Sequence, residues 1–573
     1  MRRRLRGTKV VLRSGSPVLT HDLLKVSAQT ARATLVLAEP GDADTADATT
    51  LRTVLALQTL PRLRGHVVAE MRDIDNEPLV KIVGGENIET VTSHDVLGRL
   101  MLMSAREPGL ASVYACVLGF DGDEFYAKRW PLLNGVDFGE LQPRFPAAVP
   151  IGIRSADGRL ELNPPASRAL RFGDELVVLA EDNDSYGPEA PVFVRFTPPP
   201  DRPQAQARRE TILCCGWRRD IRDILIQLDR QLAPGSELHM LNDVLPLEER
   251  NVFLKAQGLD VVKDLINVRL KHFMGNTAMR KSLEALPIAQ YDSCMILADQ
   301  SHEAEMMHSD SHVIATLLQL REIQKEVAQK TAAPMSVRRP VTRETLQLQT
   351  PIICEVLDPR TQHTIEKNRT VANTSDFIQS NKLIAQILAM CAEDRSIQAL
   401  LAELLGPGGV SFSVQPVDRY ARTGERLTFL ELASRVRAAG GTLCGYQDAA
   451  ETTINPRQKH SPVCWDTFDV IVLSGKSSQP TPAQMRPGRH TRVGRGSVVH
   501  VAKRTSKAAL ALARRGSAFS VPSAGKEEGA ALAPSSRKYT PAAIYPSDAK
   551  NHAPTHVAPR GAARSDAAYA HPV

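Results

Sequence analysis

The sequence predicts an α/β protein with two tandem Rossmann-like modules, each followed by a small β-rich subdomain. Short apolar strands alternate with helical stretches of 3.6-residue periodicity, which is the pattern of a parallel sheet with crossover helices. This pattern occurs twice along the 573 residues. After each occurrence, apolar and polar residues alternate between turn signals such as DG and GD, which predicts short antiparallel strands.

The two occurrences match segment by segment, so we interpret them as copies of one folding unit. Residues 47–57 (DATTLRTVLAL) parallel residues 310–320 (DSHVIATLLQL), and each segment follows a short apolar strand. The next strand has a glutamate as its next-to-last residue in both copies, at 66–71 (HVVAEM) and 351–356 (PIICEV). Further matches pair 97–110 with 384–397, 138–141 with 429–432, the Asn-Pro pairs at 163 and 455, and 174–181 with 468–475.

The first copy lacks the opening βα units of the second. The second copy begins with TILCCGWRRDIRDILIQLDRQLAPGSELHMLNDV, whereas the first begins at TKVVLRSGSPVLTHDLLKV, which corresponds to a later point. We therefore expect the first module to be truncated at its N-terminus. A parallel sheet without its first strands has an unpaired edge, so either those strands come from elsewhere or the first module is unstable.

The domain boundaries follow from these patterns and from Pro-rich breaks in composition. The predicted segments are the first Rossmann-like subdomain (8–112), its β-rich subdomain (113–187), a linker (188–208), the second Rossmann-like subdomain (209–405), its β-rich subdomain (406–475) and a disordered basic tail (476–573).

The charge of the chain is concentrated in this tail. From residue 476 onward there are 16 Lys and Arg against four Asp and Glu, so the tail carries +12 and the remainder of the chain −5. The tail is rich in Pro, Ser, Ala, Gly and Arg without apolar periodicity, which is typical of disorder. Nucleic acid is an unlikely partner for the chain, except through this tail.

Composition also argues against several classes of protein. The longest apolar runs are far shorter than the roughly 20 residues that cross a bilayer, so we expect no transmembrane helix. The start MRRRLRG lacks the apolar region of a secretory signal. The eight cysteines show no CxxC pairs and no zinc spacing, which favours a reducing compartment, and Cys214 and Cys215 lie on a strand where at least one is a core residue.

The first turn of the second module is a degenerate nucleotide-binding loop. Gly216 is its single glycine, and Trp217 and Arg218 occupy the space that the glycines of a dinucleotide site keep open. The loop therefore disfavours a nicotinamide cofactor. Two interpretations stay open: Trp217 packs at a domain or subunit interface, or Arg218 and Arg219 hold some other anion at a helix N-terminus.

Acidic residues follow two strands of the first module at the sheet edge where open α/β folds bind ligands. Oxygen-rich clusters of this kind suit Ca²⁺, although the spacing is not that of an EF-hand, and helix capping is the structural alternative. The candidate ligands are Asp42, Asp44, Asp47, Glu70, Asp73 and Asp75, with Glu39 nearby.

Other chemistry has weak support in the sequence. His302, His308 and His312 include a pair at i, i+4, but an exposed helix explains that spacing better than a metal site does. The sequence contains no G-x-S-x-G elbow, Walker loop or HExxH motif, so we predict that the protein is not an enzyme.

The doubled module resembles the tandem RCK (regulator of K⁺ conductance) domains of cytosolic gating rings. Between about residues 9 and 475 the strings EMRDIDNEPLVKIVGGENIETVTSHDVLGRLM, GFDGDEFYAKRWP, CCGWRRDIRDILIQLD, APGSELHMLNDV and CWDTFDVIVLSG resemble the Castor/Pollux family of nuclear-envelope ion channels. The resemblance implies a tetrameric ring, calcium-linked regulation, cation conduction, and a pore domain lying upstream or on another chain.

Three hypotheses for function remain at this stage. The first is the regulatory gating-ring portion of a Castor/Pollux-like cation channel at the nuclear envelope. The second is a soluble RCK-type regulatory subunit that docks on a separate membrane pore. The third, weakened by the missing glycines, is an NAD-binding oxidoreductase.

Overall fold

The computed structural model describes residues 8–475 apart from a few short gaps. The tail predicted at 476–573 lies outside the described residues. We call residues 8–187 the first half and residues 209–475 the second half. The gaps are 40, 121, 202–207, 299–304, 332–349, 373–374, 407–408 and 449–450.

A parallel sheet of three strands lies at the start of the first half. Its central strand, β2, is largely buried, as expected for a parallel strand covered on both faces. In chain order the elements are α1 (Thr20–Lys25), β1 (Ala33–Val36), α2 (Ala43–Gln58), β2 (His66–Met71), α3 (Glu77–Gly84), β3 (Ile88–Thr92), α4 (Ser93–Arg106) and α5 (Leu110–Val117).

A four-stranded antiparallel sheet, which we call the first cap, completes the first half. It begins after α5, and α5 itself runs across the boundary predicted at residue 113. The strand order is β4-β7-β5-β6. The strands are β4 (Glu124–Lys128), β5 (Ala148–Arg154), β6 (Leu160–Leu162) and β7 (Glu175–Ala180).

The second half opens with a six-stranded parallel sheet in the order β10-β9-β8-β11-β12-β13. Counted from β8, this is the order 3-2-1-4-5-6 of a Rossmann fold. The strands are β8 (Thr211–Cys215), β9 (Ser236–Asn242), β10 (Val268–Met274), β11 (Ser293–Ile296), β12 (Ile352–Val356) and β13 (Asp376–Gln379). The helices are α6 (Ile221–Gln231), α7 (Leu247–Ala256), α8 (Arg280–Glu284), α9 (Met306–Thr331), α10 (Pro359–Lys367), α11 (Arg369–Ala372), α12 (Ser380–Glu393) and α13 (Ser396–Leu405).

The second cap has a four-stranded sheet, one helix and a two-stranded ribbon. The helix starts at a capping box in which the Thr428 hydroxyl and the Glu431 carboxylate each accept from the other residue's backbone N–H. The sheet order is β14-β19-β16-β17. The elements are β14 (Val410–Pro416), β15 (Arg426–Leu427), α14 (Phe429–Ala438), β16 (Thr442–Gln447), β17 (Thr452–Ile454), β18 (Val463–Cys464) and β19 (Asp469–Gly475).

The two halves repeat these details. β1, β2 and β3 are neighbours in the same parallel order as β11, β12 and β13, and the two caps share one strand order. The register of β5 shifts between Pro150 and Gly152, and that of β16 shifts between Leu443 and Gly445. Asn163 and Asn455, from the matching Asn-Pro pairs, have positive φ angles of 45° and 44°. The predicted α/β fold with parallel sheets is confirmed, and among the described residues the first sheet has no counterpart of β8, β9 and β10.

One helix of each half packs on the sheet of the other half. Helix α4, which follows β3, contacts β11 and β12, whereas its counterpart α12 contacts β1 and β2. The apolar residues of α4 recur at positions 97, 100, 101 and 105, and they are buried in a core cluster that also contains Ile224 and Leu388 of the second half. The two halves therefore share a core, and the loops of the first sheet lie against the turn that follows β8.

The segment predicted as a linker lies along both caps where it is described. The Glu189 N–H donates to the Arg144 carbonyl oxygen in the first cap (2.8 Å). Farther along, the buried Arg435 of the second cap donates to the Thr197 carbonyl oxygen (3.0 Å). These contacts make the segment a strap between the caps.

Candidate functional site at the joint between the halves

Strand β8 ends in a turn that only glycine fits. Gly216 has a φ of +105°, and a Cβ at this position would lie 2.9 Å from the Leu297 carbonyl oxygen. The next residue, Trp217, is 1% exposed. Its ring lies 5.8 Å from the ring of Phe253 and 6.4 Å from that of His272. These aromatic contacts belong to the second half, so Trp217 fills the space beside the turn from within its own fold.

Arg218 is the central residue of the joint and is 1% exposed. Its guanidinium donates to both carboxylate oxygens of Glu355, at 3.0 and 3.1 Å, and forms an ion pair with Asp220. A further N–H donates to the His94 carbonyl oxygen at the start of α4, which belongs to the first half (3.0 Å). Burial opposes the charge, but the carboxylates of Asp220 and Glu355 outweigh it and raise the pKa of Arg218. The anions bound by this arginine are therefore carboxylates of the protein.

The two strand-terminal glutamates have equivalent surroundings. Glu70, at the end of β2, accepts from the Ala38 N–H (3.1 Å) and from the Ser93 hydroxyl (2.6 Å). Its counterpart Glu355 accepts from the Ala298 N–H (3.0 Å) and from the Ser380 hydroxyl (2.7 Å). Arg218 is the contact that distinguishes Glu355, and it links the second sheet to the first half.

The two matched aspartates are also equivalent. Asp47 is 3% exposed and accepts from the N–H groups of Arg72 (2.8 Å) and Asp73 (3.0 Å). Asp310 is 1% exposed and accepts in the same way from Leu357 (2.8 Å) and Asp358 (3.0 Å). Each carboxylate thus ties the start of a helix to the loop after the neighbouring strand.

The remaining candidate calcium ligands pair with arginines of the second half. The Arg219 guanidinium lies 2.6 Å from the Asp44 carboxylate, 3.2 Å from Asp73 and 3.7 Å from Asp42. Arg222 lies 2.9 Å from Asp75. We call these two arginines and four aspartates the acidic joint.

This arrangement does not fit a calcium ion as it stands. Asp42 also caps α2 by accepting from the Thr45 N–H, and Asp47 and Glu70 are occupied by backbone and hydroxyl donors. A guanidinium lies among the other carboxylates, where a metal ion would need bare oxygen ligands. Across residues 8–475, outside the gaps, no three His, Cys, Asp or Glu side chains are grouped as a metal site would require. Calcium binding at this edge stays a prediction.

Two carboxylates next to the acidic joint are held in a water-poor setting. Burial raises the pKa of Asp223 to about 6, despite the nearby Arg222 guanidinium. Burial likewise raises the pKa of Asp95, which pairs with Arg99 and accepts from Gln227 of α6. The contact between the halves therefore contains two carboxylates, Asp95 and Asp223, whose ionisation is disfavoured. The sequence analysis selected neither of them.

The other sequence candidates are not at this site. His302 lies outside the described residues, and His312 on α9 contacts Asn276 (3.2 Å) and Thr277 (3.5 Å). Cys214 and Cys215 are both fully buried, as predicted for at least one of them, and burial raises the pKa of each thiol.

Glu355 was missed as a site residue, although the glutamate repeated near the end of the matching strands was a usable signal. Within residues 8–475, outside the gaps, no helix has the length and apolarity needed to span a membrane.

This architecture matches a solved gating ring. The structure of the human SLO3 gating ring aligns with a TM-score of 0.56 over 81% of this chain and 91% of that chain, at 15% sequence identity. At this identity the likeness concerns the fold, so the chain has the fold class of a channel gating ring.

Sequence comparisons identify the family. A family model described as "Castor and Pollux, part of voltage-gated ion channel" matches residues 94–194. The chain is 44% identical over 481 residues to "Ion channel CASTOR" of Lotus japonicus and 44% identical over 481 residues to "Ion channel POLLUX" of the same species. It is 42% identical over 486 residues to "Probable ion channel POLLUX" of Arabidopsis thaliana. The chain belongs to the Castor and Pollux family, as the sequence predicted.

The matches cover 82% of this chain in all three comparisons. They cover 56% of the Lotus japonicus CASTOR protein, 52% of its POLLUX protein and 58% of the Arabidopsis protein. The chain therefore spans little more than half the length of the curated relatives that it matches.

Proposed function

We propose that this chain is the regulatory gating-ring portion of a Castor/Pollux-like cation channel and has no enzymatic activity. In this proposal residues 8–475 form two tandem RCK modules, and the described part of the first module has no counterpart of β8, β9 and β10. Four copies assemble into a ring at the nuclear envelope, and the ring acts on a pore that lies upstream or on another chain. Family membership and the likeness to a gating ring support this proposal.

The observation that carries the proposal is the way in which the halves are joined. Each half contributes a helix to the sheet of the other, and the buried Arg218 links Glu355 of the second sheet to the first half. A regulator must convert binding into movement of whole subdomains, and it can do so only if a ligand favours one arrangement over another. A joint made of packed helices and buried ion pairs has the discrete contacts that such a shift requires.

The side chains in the turn after β8 argue against a nicotinamide cofactor at this position. Counted from Gly216 in the G-x-G-x-x-G pattern, the two further glycine positions hold Arg218, which is paired with Glu355, and Ile221. Trp217, between Gly216 and Arg218, is packed against Phe253. The Arg218 side chain therefore stands where a pyrophosphate would approach the backbone of a dinucleotide loop. We propose that the turn serves to connect the two halves.

A chimaeric channel tests the proposal. The full chain replaces the segment that it matches in the Lotus japonicus CASTOR protein, and ion currents are recorded in planar bilayers. We expect cation currents, and we expect Arg218→Gln to change the open probability more than the exposed-pair variant Arg222→Gln. A chimaera that reaches the membrane as a tetramer but carries no current would refute the gating-ring role. Currents that appear only when the chain is added as a separate polypeptide would instead favour a docking subunit.

A further inference from the structure

A lysine of the second cap is buried in the first cap. Lys459 lies between β17 and β18 and is 1% exposed. Its Nζ donates to the carbonyl oxygens of Phe145 (3.1 Å) and Ala148 (2.6 Å), where β5 begins. The amine therefore bridges the two caps through backbone groups, which offer no negative charge to balance an ammonium.

Two equivalent contacts join the caps, one at Asn163 and one at Asn455. The Asn163 amide donates to the Gly440 carbonyl oxygen (2.8 Å) and the matching Asn455 amide to the Ala147 carbonyl oxygen (3.0 Å). Near Asn163 the cation is the half-buried Arg437, which donates to the Asn163 side-chain oxygen (2.9 Å). Near Asn455 the buried cation is Lys459. One contact thus holds a guanidinium and the other a primary amine.

The two cations differ in how they respond to pH. Burial lowers the pKa of Arg437 to about 10, so that side chain stays charged near neutrality. Burial lowers the pKa of Lys459 to about 7, although the Asp123 carboxylate favours its charge. A neutral amine has two N–H donors, which match the two carbonyl oxygens, whereas an ammonium carries a third donor and a charge. Water-poor surroundings disfavour that charge.

Few charged groups offset the ammonium. Asp123, on the approach to β4, is the nearby carboxylate; it accepts from Asn455 at 2.6 Å, and burial raises its own pKa. The pair formed by Arg457 and Glu181 (2.9 Å) lies at the exposed rim, and His460 follows Lys459 on the same loop. None of these groups contacts Lys459 as directly as the two carbonyl oxygens do.

We propose that Lys459 makes the contact between the caps sensitive to pH: the neutral amine holds the caps together, and protonation loosens them. The sign follows from proton linkage. When the caps separate, Lys459 enters water and regains its ordinary affinity for a proton. Closing the caps therefore releases a proton between about pH 7 and pH 10, so the closed contact becomes more stable as pH rises through that window. Below about pH 7 the amine is charged in both states and the dependence levels off.

Hydrogen exchange on the full chain tests this inference. The segment 142–150, which supplies both acceptor carbonyls, is compared with the distant strand β10 in the same molecule, so that the pH dependence of intrinsic exchange cancels. We expect exchange of segment 142–150, relative to β10, to slow by up to about tenfold per pH unit from pH 7 to pH 9. Lys459→Met, which is never charged, and Lys459→Arg, which is always charged, should both abolish the dependence. The exposed-lysine control Lys255→Met should retain it.

The result that would overturn the inference is a flat relative exchange rate in the wild-type chain, or a Lys459→Met variant that keeps the wild-type pH dependence. Because the comparison with β10 is internal, the wild-type measurement decides the matter even if a variant fails to fold. The inference does not rest on the proposed channel function, since it concerns only the contact between the caps.

Discussion

Two adjacent arginines at the end of β8 have opposite surroundings. Arg218 is 1% exposed and paired with Glu355, whose side chain is 4% exposed, whereas the Arg219 side chain is 27% exposed and reaches aspartates at the surface. A buried ion pair contributes little to stability relative to an apolar pair, but the loss of one partner leaves an uncompensated buried charge. Exposed pairs contribute little in either case.

We therefore expect Arg218→Gln to lower the free energy of unfolding by about 3–5 kcal/mol. Arg222→Gln, which removes the pair with the exposed Asp75, should cost less than about 1 kcal/mol. Urea unfolding at pH 7.5 measures both changes. The triple variant Arg218→Met/Asp220→Asn/Glu355→Gln should recover most of the loss, since it removes the arginine together with both carboxylates that pair with it. Equal costs for the two single variants would contradict the importance of the buried pair.

At the scale of elements, the exchange of helices between the halves explains why α4 is apolar on so much of its surface. It contacts β3 of its own sheet and also β11 and β12 of the other. Leu100 and Met101 are 1% exposed, and Leu102 is fully buried. A helix that covered one sheet alone would show a narrower apolar stripe.

Truncation of a side chain on α4 should therefore affect both halves. We expect Leu100→Ala to destabilise the protein by about 2–5 kcal/mol, because it removes buried methyl groups and leaves a cavity. Hydrogen exchange should accelerate in β12 as well as in β3. Leu79→Ala on α3, where the leucine is 50% exposed, is the matched control and should change neither strand. Acceleration confined to β3 would show that α4 packs only on its own half.

At the scale of the whole molecule, the acidic joint is where we expect ions to act on the proposed ring. Arg219 occupies the space between carboxylates that a divalent cation would need. Calcium would have to displace this arginine, and the freed arginine would lose its partners in the first half. We therefore expect calcium binding at this edge to compete with the contact between the halves.

Calorimetry of the full chain measures this competition. We expect Arg219→Gln to strengthen calcium binding by about tenfold or more, because it frees three carboxylates for the hard cation. Asp44→Asn combined with Asp73→Asn should remove that gain. Arg360→Gln, which disrupts an exposed arginine on α10, serves as the control. Identical heats for the wild-type chain and Arg219→Gln would place any calcium site elsewhere.

Much of the fold was predictable because its signals are local or repeated. The apolar strands, the glutamate near the end of β2 and β12, and the matching Asn-Pro pairs at 163 and 455 all recur in order along the chain. The site was less predictable. The acidic residues were recognised as a cluster, but their partners Arg219 and Arg222 lie more than 140 positions farther along the chain. No spacing rule connects residues so far apart.

The amino-acid sequence by itself determined the type of each module, its repetition and its family, because periodicity and long matched strings depend only on order along the chain. The tertiary structure alone decided which half each helix covers, which arginine neutralises which aspartate, and that Lys459 lies between two carbonyl oxygens of the other cap. These are contacts between segments that are far apart in the sequence. Their energies depend on burial and on the distance between charges, and neither exists until the chain has folded.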